Sequence, residues 1–396
     1  MIQYYNPNLT FYSLFKALIE RDAEKNIIDH FQAYTGKKYV LITGSCRASL
    51  YLAYKSLGIT NKVVATSPLT CFSAVHPILL TGNKIEFIDV DDNTLNIDIE
   101  LLDEKILSEI DAIQIIHHGG VPVNYLGIKA RLENNNVKII EDCAQAYGAR
   151  YENKNIGSEA DVACYSMSKN LYGLGGGILA TDNYEVYVKA KEYLNELPVI
   201  SMKLLMFRIV RNIFETYKNN IILNKLYRLL MNVRNNSAEF SSLKLDSRFY
   251  VKPNEMILKI NSVQLEKADQ INKRVGNIAV IMLNRMINNN ILYNDGFHDD
   301  CSFTKLFVYN PNLITIQLLE YLNTKSIEAK HLEQKHNSIY QDRFDRNGYF
   351  KDSESIKKCN KYNEIHDSII SLPLHDKLSS SDIDYIITNI EKKSIK

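Results

Sequence analysis

The sequence predicts an α/β protein in which a mostly parallel sheet lies between helices, joined to a smaller α+β unit. Three observations carry that prediction. From about Thr43 to Asp182, short runs rich in β-branched residues alternate with helix-length segments. Those runs are continuously apolar, as strands covered on both faces must be. Beyond residue 246 the pattern changes to one long helical stretch followed by scattered strand-like runs.

In chain order the candidate strands are "KVVATS" (62–67), "KIEFIDV" (84–90), "AIQIIH" (112–117), "KIIEDC" (138–143), "DVACYS" (161–166) and "GILAT" (177–181). Amphipathic segments such as "RASLYLAYKSLG" and "NYLGIKARLENNN" separate most of them and suit the crossover helices that parallel strands require. From about Asn195 to Asp246 the composition shifts, and residues 203–234 carry seven Lys or Arg against one acid, Glu215. "NEMILKINSVQLEKADQINKRVGNIAVIMLNRMINN" then reads as long helix, and "KLFVYN" and "SIISLPLHDKLSSSDIDYIITNIEKK" as a small unit closed by a helix. These shifts divide the chain into a large unit at 1–195, a basic amphipathic insertion at 196–246 and a small unit at 247–396.

Composition narrows the function. At 396 residues the chain exceeds one average domain, and 45% apolar with 23% charged residues is ordinary for a globular protein. A formal net charge of +1 leaves no global field to attract nucleic acid. The six cysteines are scattered with neither CxxC nor metal-type spacing, which fits a reducing compartment. The N-terminus lacks a signal-peptide pattern, and no apolar run nears the ~20 residues that span a bilayer. A cytoplasmic protein is expected.

The chemistry concentrates in "YSMSKNLYGLGGG" (165–177). A phosphate-binding P-loop places its lysine after the glycines and opens a helix; here Lys169 precedes them and a strand follows. In isolation Lys169 reads as a solvated turn residue. Its neighbours give it another task. Glu141 and Asp142 end a buried strand, and the two-residue period sends their carboxylates to opposite faces, so one of them addresses a site above the sheet. Gln145 follows in a small-residue turn. A strand-end carboxylate, a lysine on a neighbouring strand end and a glycine-rich clearing are what a pyridoxal phosphate site requires: the lysine forms a Schiff base and the acid keeps the ring nitrogen protonated.

The string "EDCAQAYGARYENKNIGSEADVACYSMSKNLYGLGGGILATD" (141–182) resembles the core of the DegT/DnrJ/EryC1/StrS aminotransferases, which act on nucleotide-linked keto sugars. Further stretches resemble that family in order: "TGSCRASLYLAYKSLGI" (43–59), "TSPLTCFSAVHPILLTGNKIEFIDVDDNTLNID" (66–98), "HHGGVPVN" (117–124), "NEMILKINSVQLEKAD" (254–269) and "SIISLPLHDKLSSSDIDYII" (368–387). The resemblance implies the aspartate aminotransferase-like fold (fold type I), pyridoxal 5'-phosphate passing through a pyridoxamine phosphate form, and a homodimer. By position it makes Lys169 the Schiff-base lysine and later the proton carrier. Asp142 becomes the partner of the ring nitrogen, and Gln145 lies against the ring or near its phenolic oxygen. Ser166 or Ser168 binds the phosphate, and so does the helix N-terminus at Ser45, Cys46 and Arg47.

Several positions depart from the family pattern. Where Ser-Gly-Thr is common this chain has Ser45-Cys46-Arg47, so Arg47 reads either as a charge-assisted phosphate ligand or as a surface charge. The phosphate serine usually stands at the position of Cys164. Cys71 stands where a ring-stacking aromatic is common, which leaves one ring face without its usual stacker unless Phe72 substitutes. An asparagine often given to the neighbouring subunit's phosphate falls near Tyr250, which speaks against that cross-dimer contact. His117 and His118 read as a turn lining the site rather than a metal site, and His331 and His336 as solvated histidines within possible reach of substrate.

The expected activity is transfer of an amino group from an amino acid, glutamate, to a keto group of a nucleotide-linked deoxysugar, for bacterial surface-glycan or amino-sugar assembly. Two other readings stand beside it. One is a pyridoxamine-dependent sugar dehydratase of the same fold, although such relatives replace the lysine with histidine. The other is a non-catalytic, membrane-associated scaffold. The basic stretch at 203–234 reads either as solvated helix faces or as a peripheral contact with anionic membrane.

Overall fold

The computed structural model describes residues 2–91, 93–133, 135–217, 244–288, 300–309, 315–331 and 356–394. Helices α1 (Phe11–Ile19) and α2 (Ala23–Thr35) precede strand β1 (Tyr39–Thr43) and helix α3 (Cys46–Ser56). Next come β2 (Val63–Thr66), α4 (Phe72–Leu80), β3 (Lys84–Phe87), α5 (Glu104–Glu109), β4 (Ala112–Ile116) and α6 (Tyr125–Leu132). Strand β5 (Lys138–Asp142), the short pair β6 (Arg150–Tyr151) and β7 (Lys154–Asn155), β8 (Val162–Ser166) and β9 (Gly177–Thr181) follow. After them run α7 (Tyr184–Glu196), α8 (Met202–Thr216) and α9 (Glu255–Asn288). The remaining described elements are β10 (Leu306–Tyr309), α10 (Thr315–Thr324), β11 (Lys330–His331), α11 (Asn360–Ile365), β12 (Ile369–Leu372) and α12 (Ser380–Ser394).

The large sheet has the order β1-β9-β8-β5-β4-β2-β3. Strands β3, β2, β4, β5 and β8 pair in parallel, and β9 runs antiparallel to both β8 and β1. The expected mostly parallel, mixed sheet is therefore present, with β1 as an edge strand that the sequence reading did not pick out. Alternate residues of each strand serve opposite faces. Leu41, Val64, Val162, Cys164 and Leu179 pack with α3, α4 and α7. Val40, Ile42, Ala163, Tyr165, Ile178 and Ala180 pack with Ile27 and Phe31 of α2. Burial on both faces is why these strands read as unbroken apolar runs.

The second sheet, β10-β12-β11, shares an apolar cluster with the C-terminal half of α9, through Val275, Ile278, Met282 and Met286. The N-terminal half of α9 packs elsewhere, with Leu258, Leu265 and Ala268 against the large sheet's α2 face. A helix of 34 residues is about 50 Å long, enough to serve both cores. Two segments cross the boundaries expected from sequence. Ile2 bridges Ile327 and the Leu374 N–H donates to the Tyr4 carbonyl at 3.2 Å, so the first residues lie against the small sheet. Ile356, Cys359, Tyr362 and Ile365 return to the large core. In the first crossing the Tyr5 hydroxyl also donates to the Ser168 carbonyl, just beyond β8, at 3.3 Å. Within the basic insertion, α8 is described; residues 218–243, and with them most of the 203–234 stretch, lie outside the described residues, as does His336.

Candidate active site

Ser45, Cys46, Arg47, Asp142, Gln145, Ser166, Ser168 and Lys169 all line one cavity of about 330 Å³. It opens beyond the carboxyl ends of β5 and β8, where ligands bind in open α/β sheets. Register explains the convergence. Asp142 pairs with Cys164, which places the acid beside the strand that leads to Lys169. Ser166 pairs with Gly177, and Ser45 bridges Gly176, so the start of α3 sits next to the end of β8.

The two adjacent acids part as the strand period requires. Glu141 points away from the cavity and meets His117, Oε1 to Nε2 at 2.9 Å, with both side chains buried. The other ring nitrogen of His117 accepts the Val123 N–H at 3.1 Å, so His117 is neutral at Nδ1 and donates from Nε2. Cys143 brings its thiol within 4.8 Å of these ligand atoms, but both imidazole nitrogens are already engaged. The histidine pair therefore divides: His118 lines the cavity and His117 belongs to the core beneath it.

Asp142 forms the cavity floor. Its Oδ1 accepts the Ala144 N–H at 3.0 Å and lies 3.8 Å from the Cys46 thiol. Burial raises its pKa above the usual aspartate value, and the Lys169 charge opposes that rise. Among the described residues no cation pairs with it within ion-pair distance. A buried carboxylate without a cation is costly, and a ring N–H⁺ seated above it would offset that cost.

At the opposite wall Ser45 caps α3, accepting the Ala48 N–H at 3.0 Å and donating to the Phe249 carbonyl at 2.7 Å. The hydroxyl is thus committed to the fold, while Cys46 and Arg47 line the cavity at the start of α3, the end of a helix that favours an anion. Arg47 is no surface charge. It is buried, with its guanidinium carbon 3.9 Å from the Phe249 ring centroid and a hydrogen bond to Ser73 Oγ. Ser166 and Ser168 are hydrogen-bonded to each other, Oγ to Oγ at 3.1 Å, and both line the cavity, whereas Cys164 is fully buried beneath. The buried Oε1 of Gln145 has no protein partner.

The departures from the family pattern can now be placed. Phe72 does not replace a ring stacker: it turns into the core against His76, ring centroids 4.9 Å apart, while Cys71 lines the cavity. Tyr250 is fully buried in its own chain, its hydroxyl 2.5 Å from His76 Nδ1, so it is not extended toward a neighbour. The glycines after Lys169 make room for protein rather than for a ligand. A Cβ on Gly177 would lie 2.4 Å from the Cys46 nitrogen, and Asn261 bridges Leu174 N–H and the Gly175 carbonyl at 2.9 and 2.8 Å. Reading the sequence also missed Ser73, Phe249, Lys305, Phe307, Tyr362 and His366 as cavity walls. His331 bonds the Asp367 carbonyl and is no part of the cavity.

A large mixed sheet between helices, a second small sheet and a lysine and an aspartate at adjoining strand ends define the aspartate aminotransferase-like class, fold type I. Within that class the chain belongs to the DegT/DnrJ/EryC1/StrS aminotransferase family, whose model matches residues 18–391. The spore coat polysaccharide biosynthesis protein SpsC of Bacillus subtilis (strain 168) is 37% identical over 164 residues, 41% of this chain and 42% of its own length. A UDP-4-amino-4,6-dideoxy-N-acetyl-beta-L-altrosamine transaminase of Campylobacter jejuni (strain 81-176) is 33% identical over 173 residues, 41% of this chain and 46% of its own. These matches span less than half the length of either relative. The putative sugar aminotransferase Spr1654 of Streptococcus pneumoniae, solved in its PMP form, superposes with a TM-score of 0.77 at 16% identity, covering 100% and 99% of the two chains. A GDP-4-keto-6-deoxymannose-3-dehydratase superposes with a TM-score of 0.72 at 18% identity, covering 98% and 100%.

Proposed function

We propose that the protein is a sugar aminotransferase that moves an amino group from an amino acid, glutamate, to a keto carbon of a nucleotide-linked deoxysugar. The observation that carries this reading is Lys169 beside Asp142 in the one cavity that collects every predicted site residue. Pyridoxal 5'-phosphate is the cofactor: it supplies the carbonyl that receives the amino group and the ring that takes up electrons. Lys169 would hold it through Nζ and, once that nitrogen is free and neutral, would carry a proton there as general base and acid. Asp142 holds the ring-nitrogen proton. Ser166, Ser168, the start of α3 at Ser45 and Cys46, and Arg47 hold the phosphate, and Gln145 offers its unpartnered amide beside the ring.

The lysine favours amino transfer over dehydration, the activity named for a structural neighbour of the same fold. Product mass separates the two: incubation with glutamate and a UDP-linked 4-keto-6-deoxy sugar yields the 4-amino sugar in this reading and a 4-keto-3,6-dideoxy sugar, one oxygen lighter than the substrate, in the other. The phosphate cradle has its own test. Arg47→Met or the Ser166→Ala/Ser168→Ala pair weakens cofactor binding by about ten- to a hundredfold, the worth of a charge-assisted contact, in an absorbance titration. Unchanged loading would remove these residues from the cradle.

We further propose a cytoplasmic homodimer and a peripheral contact with anionic membrane; exposed residues of two helices support the second. On α8, Met202, Met206 and Val210 are exposed, flanked by the exposed Lys203 and Arg211. Helix α1 adds exposed Phe11, Phe15 and Leu18, and its Phe11 ring stacks on Tyr217 at 5.4 Å. Among the described residues no helix is long and apolar enough to cross a membrane. Sedimentation checks both proposals: twice the chain mass in solution, and co-pelleting with anionic liposomes that is lost at high salt. A monomer, or protein left in the supernatant at low salt, contradicts the corresponding part.

A further inference from the structure

We propose that Lys305, with His118 beside it, binds the α-carboxylate of the amino-acid donor. The inference rests on the aminotransferase reading and assigns the donor's place within the site.

The segment 302–305, which leads into β10, is strapped across the turns that end β4 and β5. The Ser302 N–H donates to the Gly120 carbonyl at 3.0 Å and the Thr304 N–H to the Gly119 carbonyl at 2.9 Å. Ser302 and Thr304 hydroxyls both donate to the Gln145 carbonyl, at 3.0 and 2.5 Å. Gly120 makes this approach possible: it has φ +91°, and a Cβ there would lie 2.5 Å from Ser302 Oγ and 2.8 Å from the Gln145 carbonyl oxygen. The "HHGG" turn thus brings Lys305 to the cavity wall.

The strap also ties this lysine to the reacting one. The single hydroxyl proton of Thr304 is shared between the Gln145 carbonyl and Asn170 Oδ1, and Asn170 Nδ2 donates to the Ser302 carbonyl at 3.2 Å. Thr304 precedes Lys305 and Asn170 follows Lys169, so the two lysines flank one hydrogen-bonded junction.

Within the cavity the charges have unequal commitments. Lys169 anchors the cofactor, Asp142 serves the ring nitrogen, and Arg47, braced by Ser73 and Phe249, is assigned to the phosphate. Among the described residues no carboxylate pairs with Lys305. His118 is buried, lines the same cavity, and its Nε2 has no protein hydrogen-bond partner. Burial first, then the Lys305 charge, push its pKa down to about 3. The imidazole is neutral, able to donate one hydrogen bond without adding charge. A lysine and a neutral donor together suit one carboxylate.

Position decides which anion this is. An α-carboxylate is bonded to the carbon that carries the reacting amino group, so its cation must lie close to Lys169. The diphosphate of a nucleotide sugar is held away from its reacting carbon by the sugar ring. Lys305, joined to Lys169 through Thr304 and Asn170, meets the first requirement.

Holoenzyme titrated with glutarate, a dicarboxylate with no amino group to transfer, and separately with UDP, tests the assignment. Lys305→Gln weakens glutarate binding about tenfold or more, as loss of one charge-assisted contact does, while UDP binding is unchanged and Lys305→Arg restores glutarate affinity. In turnover, Lys305→Gln raises KM for glutamate more than it lowers kcat. Unaltered glutarate affinity, or loss of UDP binding in its place, overturns the proposal. A wild-type enzyme that binds glutarate through Lys305 yet forms no 2-oxoglutarate from glutamate refutes the transaminase reading alone.

Discussion

Lys169→Ala abolishes the visible absorption band of the cofactor-loaded protein and lowers amino transfer by about three orders of magnitude or more. The size follows from two lost roles, covalent anchoring and proton transfer, the second of which alone is worth roughly 10²–10⁴-fold. The surroundings of Lys169 survive the change. Asn170 keeps its bonds to Ser302 and Tyr147, and the Tyr172 N–H still reaches the carbonyl of residue 169 at 3.0 Å. The variant is therefore expected to fold and to take up cofactor without a covalent link. Lys169→Arg keeps the charge and is equally inactive, which separates nucleophile from cation. A Lys169→Ala protein with a wild-type spectrum or substantial turnover would remove the basis of the proposed chemistry.

Asp142→Asn lowers turnover by roughly 10²–10³-fold, the usual worth of one preorganised electrostatic contact at a developing charge. Its effect on the cofactor-free protein has the opposite sense. A carboxyl whose folded pKa lies above its unfolded value binds its proton more tightly when folded, so stability falls as pH rises through that interval. Burial places Asp142 in that case. At neutral pH the cofactor-free Asp142→Asn variant is thus more thermostable than the cofactor-free wild type. The gap closes as pH falls below the ordinary aspartate value of about 3.8. Adding cofactor reverses the order, because only the wild type gains a charge partner for the ring nitrogen. Thermal melts of both proteins across pH, with and without cofactor, read all three signs. A less stable cofactor-free variant at neutral pH would mean that Asp142 is a structural acid satisfied by the fold.

Much of the large sheet is legible in the sequence because its strands are buried on both faces and so stand out as unbroken apolar runs. Strand β1 is harder to see: "YVLIT" has the same character, but it precedes the stretch of clear alternation and pairs antiparallel with a strand far along the chain. The cavity residues that were legible are local in sequence, set by strand ends and a helix start. Asp142 is the clearest of these, since period-2 geometry alone splits it from Glu141. Lys305, Tyr362 and His366 reach the cavity only because late segments return to the large sheet's edge, a tertiary event with no local periodicity. The glycines after Lys169 show the limit from the other side. Their spacing signals close approach, but not that Asn261 and the start of α3 are what approach. Arg47 likewise changes meaning through burial, which no window of sequence around it reveals.

Whether Lys169 and Asp142 carry out amino transfer is read from a single-turnover spectrum of the cofactor-loaded protein mixed with glutamate and no acceptor. The visible band is expected to bleach as 2-oxoglutarate forms in stoichiometric amount, and to return when a nucleotide-linked keto sugar that the protein accepts is added. A band that persists with glutamate, with no 2-oxoglutarate formed, contradicts that assignment.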